Sequence, residues 1–261
     1  MVGVYLTDSL KLYLENFPTA LAFALLLVFV AIFGQVHGFF ITSGSIFLGY
    51  GLVKLNTIDA AILLGSMLLF MFFLSVFISL MIFAVRRELS KVRLQYYLSE
   101  RINKFAFKLF FFLSAFTLVL AFINALLIQF GISALPVNIV MLVLAVAFLF
   151  VPQAIVIDEE SLGSSVTWNF EYMLSHLGAV FHVLATGFIL LLAMPLIEYA
   201  IDMLTLSLNI VPLTGNFVSL FLTLVFVVPY LEVLKTEFYM HKFELVKHAH
   251  KTIDRRRTER W

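Results

Sequence analysis

The chain reads as an all-α integral membrane helical bundle, with about six transmembrane helices and short amphipathic helices at its surfaces. Three observations predict this. Hydrophobic residues make up 62% of the 261 positions, mean hydropathy is +1.06 and only 13% are charged; a soluble domain averages about 45–50% apolar and about 25% charged. Apolar stretches of transmembrane length recur along the chain. All 17 Lys and Arg residues except Lys11 and Lys54 fall within residues 86–108 and 235–260, and cytoplasmic flanks of transmembrane helices collect Lys and Arg. One polytopic domain over residues 1–261 is the expected organisation.

Residues 4–17 predict a short interfacial helix. Leu6, Leu10, Tyr13, Leu14 and Phe17 share one helical face, and Asp8, Lys11 and Glu15 share another. This mixed-charge segment departs from the short basic start of a cleaved signal peptide, so the apolar run after it is expected to stay in place. Pro18 suits a first helical turn.

The first span is expected over 19–36. No Asp, Glu, Lys or Arg occurs from 16 to 53, a run too long for one crossing and barely enough for two. Its second part, 39–53, is rich in small residues and reads as an extracytoplasmic interfacial or re-entrant segment, such as a short broken helix, with a seventh span as the alternative. The second span covers 60–85 and stops at Arg86-Arg87. A charged, helix-compatible stretch follows, with Tyr96 and Tyr97 suited to a membrane–water interface and Glu100 four residues before Lys104. The third span covers 105–130, and a turn around Pro136 leads to the fourth, 138–157. Asp158-Glu159-Glu160 opens another amphipathic helix, in which Leu162, Val166, Phe170, Met173, Leu174 and Leu177 recur at helical spacing. The fifth span covers 177–201. A loop with Pro212 and Gly215 leads to the sixth, 217–234, and a basic tail covers 235–261. Two spans precede the first basic stretch and four separate it from the second, so both termini are expected on the cytoplasmic side of a cell membrane.

Residues 151–181 read VPQAIVIDEESLGSSVTWNFEYMLSHLGAVF: a Pro-containing span end, an acidic turn, a Ser/Gly-started amphipathic helix, then a new span. This pattern resembles uncharacterised polytopic membrane families that are similar to the membrane domain of some glycerophosphodiester phosphodiesterases. In those enzymes catalysis is assigned to a separate soluble barrel. The resemblance therefore implies an architecture and neither a reaction nor a catalytic residue.

Ionisable residues inside membrane helices are candidate functional positions. Glu198 and Asp202 lie one turn apart after Pro195; with Gln35, His37, Asn124 and Gln129 near the outer ends of their helices, they outline a candidate outer polar cavity. The competing reading for each is interfacial solvation. Glu232 sits three residues before Lys235, a spacing for a helix-face ion pair. His182 reads as a packing or interfacial residue. Gly34-x-x-x-Gly38 permits close helix contact. Pro152, Pro195 and Pro229 fall late in three spans and predict kinks; in transporters such breaks build substrate sites.

Arg255, Arg256, Arg257 and Arg260 are candidates for anionic lipid headgroups, against a role in topology alone. His241, His248 and His250 do not predict a metal site, since His248 and His250 face different sides of a helix. The chain has no Cys, so it has no thiol nucleophile or disulfide. No phosphate loop, Ser-His-Asp pattern, metalloprotease motif, dinucleotide fingerprint or nucleic-acid module is legible. No metal or cofactor is expected, and the bilayer is the expected partner. The expected role is noncatalytic: structural, lipid-interacting or accessory. A small-solute transporter or channel is the alternative, and a membrane-embedded enzyme the third reading.

Overall fold

The computed structural model describes residues 2–36, 40–42, 45–47, 57–90, 102–131, 134–208 and 215–241. These are helical apart from one small hairpin and short connections. In chain order the helices are α1 (Val2–Glu15), α2 (Phe17–Val36), α3 (Thr57–Ser90), α4 (Ile102–Gln129), α5 (Ala134–Ala147), α6 (Val151–Ile157), α7 (Leu162–Ser175) and α8 (Leu177–Leu208). The last helix, α9, covers residues 215–241. It is α-helical over Gly215–Leu222, widens into a π turn over Thr223–Val227 and is α-helical again to His241.

The six apolar runs are largely helical, with a turn at residues 148–150 interrupting the fourth. Three stretches are long and apolar enough to cross a membrane: Gly65–Arg86, Leu177–Thr205 and Phe217–His241. Leu6–Glu15 and Ala20–Phe29 qualify together as a bent pair, at 72° to one another. Several helices outrun their expected bounds. α8 continues to Leu208, and α9 runs seven residues past the expected end at Leu234 to His241, because the polar residues there are buried against the bundle rather than released into a tail.

Within residues 39–53, strand β1 (Phe40–Thr42) pairs antiparallel with β2 (Ser45–Phe47). Phe40 lies opposite Phe47, Ile41 opposite Ile46 and Thr42 opposite Ser45. A strand pair thus replaces the expected broken helix, in keeping with the β-branched and aromatic residues of both triplets. Residues 37–39, 43–44 and 48–56 lie outside the described residues, as do 91–101, which hold Tyr96, Tyr97 and Glu100, and the loop residue Pro212.

α3 is the central helix. It packs against α2, α4 and α6, while α9 packs against α2 and α8. Phe77, Met81 and Ile82 of α3, Phe105 and Leu109 of α4, Phe150 and Ile155 near α6, and Leu224, Leu234 and Tyr239 of α9 are enclosed in one core. The outward surfaces are apolar as well: Phe111 and Phe122 of α4, Leu142 and Val143 of α5, and Phe188, Ile189, Leu192 and Leu196 of α8 are all exposed. A soluble domain rarely exposes contiguous apolar surface on this scale.

The expected fourth span is not one continuous helix. α5 stops at Ala147, residues 148–150 form a turn, and α6 restarts with Pro152 in its first turn. Pro152 therefore opens a helix, where its missing N–H has no intrahelical partner to lose, and does not kink a span. Asn169 of α7 bridges the break. Its Oδ1 accepts from Phe150 N at 2.9 Å and its Nδ2 donates to Ala147 O at 2.7 Å.

Candidate functional site

The densest buried polar group lies where α6, α9 and α1 meet. α6 is short and buried on all sides, so its one amide, Gln153, is fully enclosed. Gln153 Nε2 donates to Glu232 Oε2 of α9 at 3.0 Å. Lys235 Nζ donates to Glu232 Oε1 at 2.5 Å, forming the ion pair that the three-residue spacing predicts, and both side chains are buried. Thr236 Oγ1 donates to Glu232 O at 2.7 Å. Buried charges persist only when paired and hydrogen-bonded, and the two Glu232 carboxylate oxygens each receive a donor. Gln153 Oε1 is enclosed and receives no donor among the described residues.

Three further contacts tie the end of α9 to its neighbours. Ser9 Oγ of α1 donates to Glu237 Oε2. Tyr239 donates to Asp158 Oδ2 at 2.5 Å. Tyr172 of α7 donates to Phe238 O at 2.8 Å, and its ring lies 4.7 Å from Tyr239 and 4.6 Å from His176. Burial pushes the Tyr172 phenol well above its ordinary range, so it stays a neutral donor.

The rim of this end is charged. Arg86 Nη1 donates to Val156 O at 3.3 Å and pairs with Glu159 Oε1 at 3.6 Å. Lys108 Nζ donates to Glu160 O at 2.8 Å, and Ser164 Oγ donates to Glu160 Oε2 at 2.9 Å. Ser161 caps α7 by accepting from Ser164 N, the role that a Ser before an apolar-periodic run predicts. The acidic turn 158–160 therefore anchors α3 and α4 to α6 and α7.

At the opposite end, Asp202 Oδ1 accepts from Gly215 N at 2.7 Å, so α8 caps the start of α9. α8 and α9 are so close there that a Cβ on Gly215 would lie 2.3 Å from Glu198 O. Glu198 is half-buried, and its side chain makes no hydrogen bond or ion pair among the described residues; Gln129 is exposed at the end of α4. No hydrogen bond joins Gln129 to Glu198 or Asp202 among the described residues. His37 and the side chains of Gln35 and Asn124 lie outside the described residues, as do Gly38, His248, His250, Arg255, Arg256, Arg257 and Arg260. His182 Nδ1 meets Gly178 O at 2.5 Å and its ring stacks on Phe238, a packing role. Among the described residues, no three His, Asp or Glu side chains converge as metal ligands would.

Sequence reasoning found the Glu232–Lys235 pair and missed Gln153. A single amide within the apolar run VPQAIVI is the signal that marks it. No protein-family model, curated protein or solved structure matches the chain.

Proposed function

We propose that the protein is a noncatalytic component of the cell membrane with a structural, lipid-interacting or accessory role, crossing the bilayer six times as one domain. Both termini and both basic stretches lie on the cytoplasmic side in this reading. The observation that carries it is the inversion of polarity across the bundle: Phe, Leu and Ile side chains cover the outside of α4, α5 and α8, while Gln153, Glu232, Lys235 and Ser9 are inside and bonded to one another or to neighbouring helices. Lipid is the solvent that favours such an arrangement. The remaining crossings in this reading are α2, α4 and the jointed α5–α6, whose lengths of 20, 28 and 14 plus 7 residues suit a hydrocarbon core of about 30 Å.

The Cys-free chain permits a direct test. Single cysteines replacing Asn56 or Ser207 should react with a membrane-impermeant thiol reagent in intact cells, and those replacing Ser90 or Thr258 should react only after lysis. The opposite pattern would sink the orientation, and labelling on one side only at Asp8 with both basic stretches on the other would favour seven crossings. For the lipid arm, replacing Arg255, Arg256, Arg257 and Arg260 by Gln in the full chain should lower copurification of anionic lipid without changing the topology.

The second reading is a small-solute transporter or channel, with the six outer polar residues Gln35, His37, Asn124, Gln129, Glu198 and Asp202 lining its mouth. The enclosed Gln153 Oε1 without a donor and the π turn ahead of Pro229 favour it, since π turns and broken helices recur at functional sites. Solute uptake by proteoliposomes that disappears with Glu232→Gln would replace the first reading with this one.

A further inference from the structure

We propose that α1 is a bilayer-responsive latch: its outward side engages the acyl-chain boundary of neutral lipid at one membrane surface, while its inward side holds the π turn of α9. The proposal rests on the membrane reading above.

The 72° angle between α1 and α2 lays α1 along the surface when α2 crosses the bilayer. Its side chains then divide into three sectors at helical spacing. Ser9 and Tyr13, four residues apart, are buried against α9, where Ser9 meets Glu237 and the Tyr13 hydroxyl donates to Val225 O at 2.9 Å. Leu10 and Leu14 are 48% and 60% exposed. Asp8, Lys11 and Glu15 are exposed on the remaining side. Two acids against one Lys give anionic headgroups nothing to attract, so the fitting partner is the apolar boundary beneath the headgroups.

The inward sector bears on a weak point of α9. Pro229 has no N–H for the carbonyl four residues earlier, Val225 O, and its ring crowds that carbonyl. The π turn Thr223–Val227 lies immediately before it. The Tyr13 hydroxyl supplies a donor from outside the helix, and Phe17 stacks on Phe226 with centroids 5.9 Å apart. A further polar tie, Tyr230 to Leu6 O, is 3.5 Å long, at the limit of hydrogen bonding. α1 is therefore held on one side by these ties and by Leu6, Leu12 and Tyr13 packed on the core, and by lipid on the other. A bilayer that withdraws from Leu10 and Leu14 pulls against the Tyr13–Val225 bond.

The test uses the full chain with spin labels on cysteines replacing Lys11 and Ser175, in nanodiscs of neutral phosphatidylcholine with short or long acyl chains. Pulsed electron resonance reads the distance distribution. The expected result is one docked distance in one bilayer and an added displaced population in the other. Tyr13→Phe should raise the displaced-to-docked ratio ~5–30-fold. Leu10→Ser with Leu14→Ser should abolish the lipid dependence, and this pair decides the matter if Tyr13→Phe fails to fold. A distribution indifferent to chain length, or one still lipid-dependent in the Leu pair, overturns the latch. Displacement on adding anionic lipid at fixed chain length overturns the assignment to an apolar partner. A label replacing Leu192 that is open to aqueous relaxants would defeat the membrane reading itself; a lipid-buried Leu192 label beside an immobile α1 defeats the latch alone.

Discussion

The Tyr13 hydroxyl donates to the carbonyl of Val225, 212 residues away, at 2.9 Å, and that carbonyl is the one a residue with an N–H at position 229 would bond in a regular helix. A buried carbonyl without a donor costs ~1–3 kcal/mol, so a proline in the last helix and a tyrosine in the first are energetically one unit. Tyr13→Phe should destabilise the protein by about this amount, and by clearly less in a Pro229→Ala background, where the backbone supplies the donor. Thermal unfolding in detergent of the two single variants and the double variant measures the coupling. Strict additivity would mean that the two residues act separately.

At Gly215 the start of α9 is packed tightly on α8. A Cβ there would stand 2.3 Å from Glu198 O and 2.8 Å from Asp202 Oδ1, and a backbone oxygen has little freedom to move aside. Gly215→Ala should cost ~1–3 kcal/mol, read as a lower unfolding temperature. Gly178→Ala meets nothing within 4 Å and serves as the control, expected within ~0.5 kcal/mol of wild type.

Asp202 and Glu198 lie one turn apart with different duties. Asp202→Ala removes the acceptor for Gly215 N and should cost about 1 kcal/mol, as loss of a helix cap does. Glu198→Gln should leave insertion and stability unchanged. A loss of several kcal/mol in that variant would reveal a buried partner for Glu198.

Lys235→Met would leave Glu232 enclosed with Gln153 as its one remaining side-chain donor. An uncompensated buried charge costs ~3–5 kcal/mol. Adding Glu232→Gln should recover much of that loss, because the charge and its need for a counterion go together. If the double variant is worse than Lys235→Met alone, the pair is not the stabilising unit.

Asn169→Ala strips two backbone groups of their partner at once, Phe150 N–H and Ala147 C=O. The expected cost is about 2–4 kcal/mol. Asn169→Asp keeps an acceptor for Phe150 N but leaves Ala147 O without a donor, and should fall between alanine and wild type in the same unfolding assay.

The helices were legible because hydrophobic length and charge segregation act locally, and the apolar runs are largely helical, with the turn at 148–150 interrupting one of them. What escaped was decided at a distance. The single apolar face read for residues 4–17 is divided between the bundle interior and the outer surface: Tyr13 is buried while Leu10 and Leu14 are exposed, a split that periodicity cannot make because all three positions carry apolar side chains. In α7, Val166 and Met173 pack against the core, whereas Phe170 and Leu174 face outward and the fully enclosed residues are Ser165, Asn169 and Tyr172. Asn169 and Tyr172 point inward there because Ala147 O of α5, the Phe150 N–H and Phe238 O of α9 await them, while Ser165 bonds back to Ser161 O. Pro152 reads as a late kink from sequence because the partner that permits the break is Asn169, in another helix. Glu232 and Lys235 were visible as a pair from their spacing alone, but Gln153, which completes their hydrogen bonding, comes from α6.

The joint between α5 and α6 also bears on how the chain is built. Synthesis runs from the N-terminus, so residues 148–150 emerge before Asn169. Until α7 follows, the Ala147 carbonyl and the Phe150 amide lack the side chain that bridges them. α3, by contrast, is one uninterrupted helix of 34 residues and carries its own ladder. The α5–α6 pair is thus a late-completing element, finished by a segment translated after it, and α7 acts on it as an internal assembly factor.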